Sequence, residues 1–268
     1  MEKNNQKEVE YMMWKEPWID TKLNQEEMVF LNQAILDEEY VAPYDIKPTL
    51  AGNISRSDHI RDKDTWFYET VLKKLTERLF YRECNNYYED YIEGDKSLPK
   101  FKMNTFWVNY QKQYEFNPLH KHSALYSFVV FMKIPTHWKE QHALPICVNS
   151  NNPHASDFLF VWSEKDSELC KRSFMLSPED EGRMLFFPAW LNHQVYPFYE
   201  CEEERITISG NIILTIPNKF EVEEVFELFS GNVYEEKKKM LEMMEVGVES
   251  LKKELKQMKK EREKEGLN

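Results

Sequence analysis

The spacing of apolar residues changes rhythm twice along this chain. Over residues 25–37, Met28, Val29, Leu31, Ile35 and Leu36 recur at the three- and four-residue intervals of a helix, behind Asn24, a residue type that caps helix N-termini. A stronger stripe of Trp66, Phe67, Val71, Leu72, Leu75, Leu79 and Phe80 predicts a structural helix over about 64–85. Between them, Leu50-Ala-Gly-Asn-Ile54 is a turn-rich link. From Lys102 to Pro217 the period shortens to two, and segments 103–110, 124–134, 157–162, 172–176, 183–187, 193–198 and 205–216 read as strands broken by Pro, Asn, Asp and Gly. Strands so closely spaced, with no helix between them, predict an antiparallel sandwich, barrel or jelly roll.

Beyond Pro217 the helical rhythm returns. Residues 220–230 read as a short helix, and Leu241, Met244, Val248, Leu251, Leu255 and Met258 alternate by three and four in a Lys/Glu-rich background, the seam of a coiled coil barely three heptads long. So short a seam is expected to pack on the chain's own N-terminal helices or to hold a weak homodimer. The chain therefore reads as α+β, mainly β, in three regions: an N-terminal helical region (1–101) supporting a barrel, a β core (102–217) and a charged amphipathic helical extension (218–268).

Composition narrows the function classes. A net charge of −12 disfavours general binding to nucleic acid or to anionic membranes, because the dominant electrostatic term is repulsive. Cys84, Cys147, Cys170 and Cys201 form no CxxC and no close pair, which fits a reduced compartment better than a disulfide scaffold. The polar start and the lack of any apolar run of membrane-spanning length predict a soluble, cytoplasmic protein.

The chemistry concentrates in two segments about seventy residues apart, His120-Lys-His122 and Phe187-Pro-Ala-Trp-Leu-Asn-His193, with Arg205 twelve residues beyond the latter. Histidines at i and i+2 project to one side of a strand, and a third from a distant strand completes one face of a metal's coordination sphere. A structural zinc would more often show four ligands and cysteine pairs. Metal beside arginine points instead to an oxidative, oxo-acid-assisted reaction. His59, His137, His142 and His154 receive no role. Alternation from Arg205 places Arg205, Thr207, Ser209 and Asn211 on one face of the last strand and Ile206, Ile208 and Ile212 on the other. That polar face meets either solvent or a pocket, and the histidine upstream favours the pocket. Asn109, Tyr110 and Ser127 are weaker pocket candidates, and Trp107, Trp138, Trp162 and Trp190 are expected in the core.

Four segments together carry a family likeness: Trp107-Val-Asn109, Asn117-Pro-Leu-His-Lys-His-Ser123, Gly182 through His193-Gln-Val-Tyr-Pro, and Arg205-Ile-Thr-Ile-Ser-Gly-Asn211. They resemble the Fe(II)/2-oxoglutarate-dependent oxygenases, most nearly those of tailed phages of marine bacteria, distantly akin to prolyl hydroxylases. The resemblance spans about residues 47–217. It implies a double-stranded β-helix, Fe(II) and 2-oxoglutarate as cofactors, O2 as co-substrate and hydroxylation of a protein side chain or small molecule. If the chain is viral, it would act in the host cytoplasm. It further implies that His193 is the distal iron ligand, that Arg205 pairs with the distal carboxylate of 2-oxoglutarate, and that Thr207 or Ser209 adds a hydrogen bond. One departure stands out. Where the family has His-x-Asp/Glu, this chain has His120-x-His122, so the third ligand is either His122 or a distant carboxylate such as Asp157, the first being favoured. Two other functions remain open: a three-histidine metal dioxygenase that does not use 2-oxoglutarate, and a non-catalytic viral structural or assembly protein on the same fold.

Overall fold

The computed structural model describes residues 16–37, 41–47, 50–83, 100–163 and 168–215. The 220–230 helix and the seam from Leu241 to Met258 lie outside the described residues. One compact unit takes in Met1–Leu79 and Phe101–Leu214; the second comprises Phe80–Lys100 and Thr215–Asn268. No helix among the described residues is long and apolar enough to cross a membrane.

The chain runs β1 (Ile19–Lys22), α1 (Gln25–Leu36), β2 (Val41–Asp45), β3 (Arg56–Ile60), α2 (Lys73–Glu83), β4 (Lys100–Gln111), β5 (Asn117–His120), β6 (Tyr126–Lys133), α3 (Trp138–Ala143), β7 (Phe158–Ser163), β8 (Leu169–Phe174), β9 (Arg183–Pro188), β10 (Asn192–Val195) and β11 (Arg205–Thr215). A seven-stranded sheet is ordered β1-β9-β6-β11-β4-β3-β2, and a four-stranded sheet β5-β10-β7-β8. The pairings β1–β9, β9–β6, β6–β11, β4–β3 and β3–β2 in the larger sheet, and β5–β10, β10–β7 and β7–β8 in the smaller, are antiparallel. The architecture is the double-stranded β-helix, mainly β with few helices.

The core explains why these strands face one another. Val129 and Phe131 on β6, Leu185 and Phe187 on β9, Phe158 and Phe160 on β7 and Phe174 on β8 form one buried cluster with Trp18. Each pair sits two residues apart, so one face of every strand is apolar and the two sheets close over them. Aromatic edges meet faces there, as in Phe160–Phe187 at 4.8 Å and Phe158–Phe160 at 5.0 Å.

The N-terminal region departs from the helix-and-loop expectation. Besides α1 it supplies β1, β2 and β3, all in the larger sheet. Helix α1 begins where expected: the Asn24 side chain accepts from the Glu27 N–H, and the Glu27 carboxylate accepts from the Asn24 N–H, a reciprocal cap. Its buried residues are Glu27, Leu31 and Ala34, whereas Val29 and Leu36 are exposed, so the inward face is offset from the one read by spacing. The second helix does not start at Asp64. Asp64 and Thr65 have φ of 56° and 54°, and the Asp62 carboxylate accepts from the Phe67 and Tyr68 N–H groups, capping the helical segment that starts there. A π-helical turn, Tyr68–Leu72, then leads into α2. Helix α3 lies between β6 and β7, where none was expected.

Candidate functional site

Two neighbouring strands, β5 and β10, bring the histidines together. His193 on β10 pairs across the ladder with His120 on β5, and with Phe160 on β7 at its other side. His122 lies just past β5, its N–H donating to the Ala189 carbonyl at 2.9 Å. The His122 and His193 Nε2 atoms are 3.2 Å apart, the His120 and His193 ring centres 4.2 Å, and one nitrogen from each of the three lies within 4.8 Å of the others. His193 Nδ1 donates to the Leu191 carbonyl at 3.0 Å, and His120 Nδ1 to the Pro118 carbonyl at 2.7 Å. Those backbone acceptors fix the tautomer, leaving each Nε2 with its lone pair for a cation.

Burial keeps these rings neutral. His193, walled by Phe158 and Phe187, is held well below the ordinary imidazole value, first by desolvation and then by the neighbouring rings. His122 is pushed down to about 4 by burial and by His120, and burial lowers His120 as well. Neutral imidazoles are the protonation state a divalent metal requires. Asp157 is not among them. It is fully buried, and its carboxylate is taken up by His142, His154 and Ser173.

Arg205 opens β11 on the same cavity, which measures about 140 Å³. The side chain is fully buried, and burial lowers its pKa to about 10. Its Nη2 donates to both the carbonyl and the hydroxyl of Ser156, and Nη1 reaches Gln111 Oε1 at 3.4 Å. Nε has no hydrogen-bond partner, and no carboxylate among the described residues lies within ion-pair distance of the guanidinium. A buried cation with an orphaned N–H is unfinished without an anion.

The expected polar lining is there in part. Thr207, Ser209 and Asn109 line the cavity, and Asn109 accepts from Ser57 Oγ at 2.7 Å while reaching Thr207 Oγ1 at 3.5 Å. Asn211 and Ser127 instead bond to each other at 2.7 Å, away from the lining, and Tyr110 packs under Arg56. Trp107 lines the cavity 6.0 Å from the His122 ring as well as being buried. Ser57, Gln111 and Ser156 were not anticipated. Gln111 was findable, since it shares a strand face with Trp107 and Asn109; Ser57 sits in a short polar strand and Ser156 in a loop, where periodicity is silent.

The family described as "Putative 2OG-Fe(II) oxygenase" matches residues 105–211, the stretch that holds all three histidines and Arg205. Over that stretch the chain is similar to the 2OG-Fe(II) oxygenases. It is an oxidoreductase, and its cofactors are Fe(II) and 2-oxoglutarate. Solved structures similar to the oxygenase include a viral collagen prolyl hydroxylase from Paramecium Bursaria Chlorella virus-1 in its 2-oxoglutarate complex, with 12% identity, 75% of this chain and 98% of that chain covered and a TM-score of 0.40. A Trichoplax adhaerens prolyl hydroxylase bound to a hypoxia inducible factor peptide fragment shares 11% identity over 75% of this chain and 84% of that chain, TM-score 0.43. A 2OG-Fe(II) oxygenase family oxidoreductase from Burkholderia pseudomallei shares 9% over 74% and 85%, TM-score 0.41. No curated protein matches the sequence. The residues present fit both cofactors: neutral nitrogen donors suit Fe(II), and the unspent N–H of Arg205 suits a carboxylate.

Proposed function

We propose that the oxygenase hydroxylates a substrate admitted to this cavity, with His120, His122 and His193 holding Fe(II) and Arg205 receiving the distal carboxylate of 2-oxoglutarate. The observation that carries this reading is the convergence, on one small cavity, of three neutral imidazoles and a buried guanidinium with no anionic partner at ion-pair distance among the described residues. With both cofactors bound, the chemistry supplied is decarboxylation of 2-oxoglutarate to succinate and CO2, with one atom of O2 passing to the substrate as a hydroxyl.

The chain's own part is to bind, orient and exclude. Leu191 and Pro118 carbonyls aim two of the imidazoles, so the metal meets lone pairs that need no rearrangement. The three imidazoles would hold Fe(II), which would supply the oxidising chemistry. Arg205, fixed by Ser156 and Gln111, sets the orientation of the dicarboxylate, and Thr207 and Ser209 supply hydroxyl donors along the same strand. Phe128, Phe131, Phe158 and Phe187 line the cavity with apolar surface that keeps water from an oxidising centre.

The test is succinate formation from 2-oxoglutarate by Fe(II)-loaded protein under O2, with panels of peptides and small molecules. Wild type should form succinate, and His193→Ala should not. A wild type that binds iron but leaves 2-oxoglutarate untouched in every panel would overturn the reading in favour of a dioxygenase that does not use it.

A further inference from the structure

Behind Arg205 lies a second polar cluster that the metal site does not use. Asp157 is fully buried; Ser173 Oγ donates to its Oδ2 at 2.5 Å, His154 Nδ1 lies 3.1 Å from the same oxygen and His142 Nε2 lies 3.0 Å from Oδ1. Its backbone is equally fixed: the N–H donates to the His154 carbonyl at 3.0 Å, and the carbonyl accepts from the Tyr196 N–H at 2.9 Å. Anchored this way, Asp157 holds the residue before it in an uncommon state. Ser156 has φ of 72°, a conformation that a non-glycine residue keeps only where its surroundings enforce it. Its N–H donates to the Pro197 carbonyl at 2.9 Å, and Thr136 Oγ1 lies 3.2 Å from its hydroxyl. In that state the Ser156 carbonyl and hydroxyl both face Arg205 and both accept from Nη2.

We propose that the Ser156–Asp157 turn is the positioning element for recognition of the 2-oxo acid's distal carboxylate: it locks one nitrogen of Arg205 with two acceptors, so that the guanidinium's unspent N–H groups are presented in a fixed orientation. This rests on the proposed use of 2-oxoglutarate at the site. The geometry supplies two features that simple packing would not need. The strained residue is the one that touches the guanidinium, and the buried carboxylate next to it is held by three donors yet makes no ion pair with Arg205. Asp157 therefore acts at a distance, its negative charge opposing the effect of burial on Arg205, while the arginine's N–H groups stay available. A direct Asp–Arg bridge would spend them.

A merely structural turn and a positioning turn differ in which ligands they affect. Pyruvate has the keto-carboxylate end of 2-oxoglutarate but lacks the distal carboxylate. Binding of each is measured by calorimetry on the full-length, Mn(II)-loaded protein, for wild type, Asp157→Asn, Ser156→Gly and Ser173→Ala. Ser156→Gly keeps the backbone carbonyl and tolerates the positive φ while deleting the hydroxyl. Asp157→Asn and Ser156→Gly are each expected to weaken 2-oxoglutarate on the order of ten-fold, the scale of one hydrogen bond to a charged group, and to leave pyruvate unchanged. Equal losses for both ligands, or no loss for either, would overturn the proposal. Should Asp157→Asn fail to fold, Ser156→Gly and Ser173→Ala decide by the same ratio. A wild type that binds pyruvate as tightly as 2-oxoglutarate would instead overturn the role of Arg205 itself, and this proposal with it.

Discussion

Arg205→Met separates what the arginine does for the ligand from what it does for the fold. The guanidinium is fully buried, and burial lowers its pKa to about 10, well below the ordinary arginine value, which at about 1.4 kcal/mol per pH unit corresponds to roughly 3 kcal/mol of cost for keeping it charged. Because the folded value is the lower one, that cost is present throughout the neutral range and fades only as pH rises through about 10. Methionine removes it while filling similar space. Against this, the Ser156 and Gln111 acceptors lose their donor, at about 1–3 kcal/mol. The two effects are comparable, so the variant without ligand should lie within about 2 kcal/mol of wild type. The assay is thermal unfolding of anaerobic Fe(II)-loaded protein with and without 2-oxoglutarate. Ligand at a hundred times its wild-type Kd should stabilise wild type by about 2.7 kcal/mol, a rise in Tm of roughly 5–10 °C, and Arg205→Met by much less. A variant that loses several kcal/mol without ligand would make the arginine a structural keystone. One that keeps the ligand-induced rise would place the carboxylate elsewhere.

Three further outcomes are expected. His193→Ala should abolish Fe(II) binding in anaerobic equilibrium dialysis while circular dichroism stays that of the wild type, since the ring is one of three donors and its loss opens the shell. His122→Asp should retain the metal but weaken 2-oxoglutarate, because a carboxylate ligand lowers the positive charge that attracts the dianion; an unchanged affinity in calorimetry would show that His122 is not a ligand. Gly210→Ala in β11 should cost about 1–3 kcal/mol in denaturant titrations, as an added Cβ would come within 2.6 Å of the Phe128 ring and 2.7 Å of the Thr105 carbonyl oxygen.

How much was legible in the sequence depended on whether the signal was local. Strands 183–187 and 205–216 were readable almost to the residue, because Met184–Phe187 is an unbroken apolar run and the segment from Arg205 alternates polar residues with Ile. Strands β1, β2 and β3 were not: Ile19–Lys22 is four residues long, Val41–Asp45 contains a proline, and Arg56–Ile60 is mostly polar. Their pairing comes from partners far along the chain, β1 on β9 and β3 on β4, and no window of sequence contains both. The histidines and Arg205 stood out by residue type and order. The residues that hold Arg205 did not, since a left-handed Ser156 and its acceptor geometry are products of the fold.

With His122 as the proposed third ligand in place of a carboxylate, the balance of forces at the site changes, and the cavity's other residues bear on the same balance. Among the described residues its lining contains no Asp or Glu, and its charged residues are Lys47, Lys121 and Arg205, in a chain whose net charge is −12. Three neutral imidazoles as ligands would leave the charge of Fe(II) undiminished, where a triad with one carboxylate would halve it. Metal, Arg205 and the 2-oxoglutarate dianion then sum to a residual positive charge instead of to zero. At the effective dielectric of a partly buried site, one unit charge at 4 Å is worth on the order of 4 kcal/mol, so the difference is large on the scale of ligand binding. It acts in opposite directions on the two cofactors: the metal loses the attraction of an anionic ligand, and the dianion gains that of a more positive metal. Each cofactor therefore depends more on the other than in a site that carries its own carboxylate, and by reciprocity the factor by which 2-oxoglutarate tightens the metal equals the factor by which the metal tightens 2-oxoglutarate.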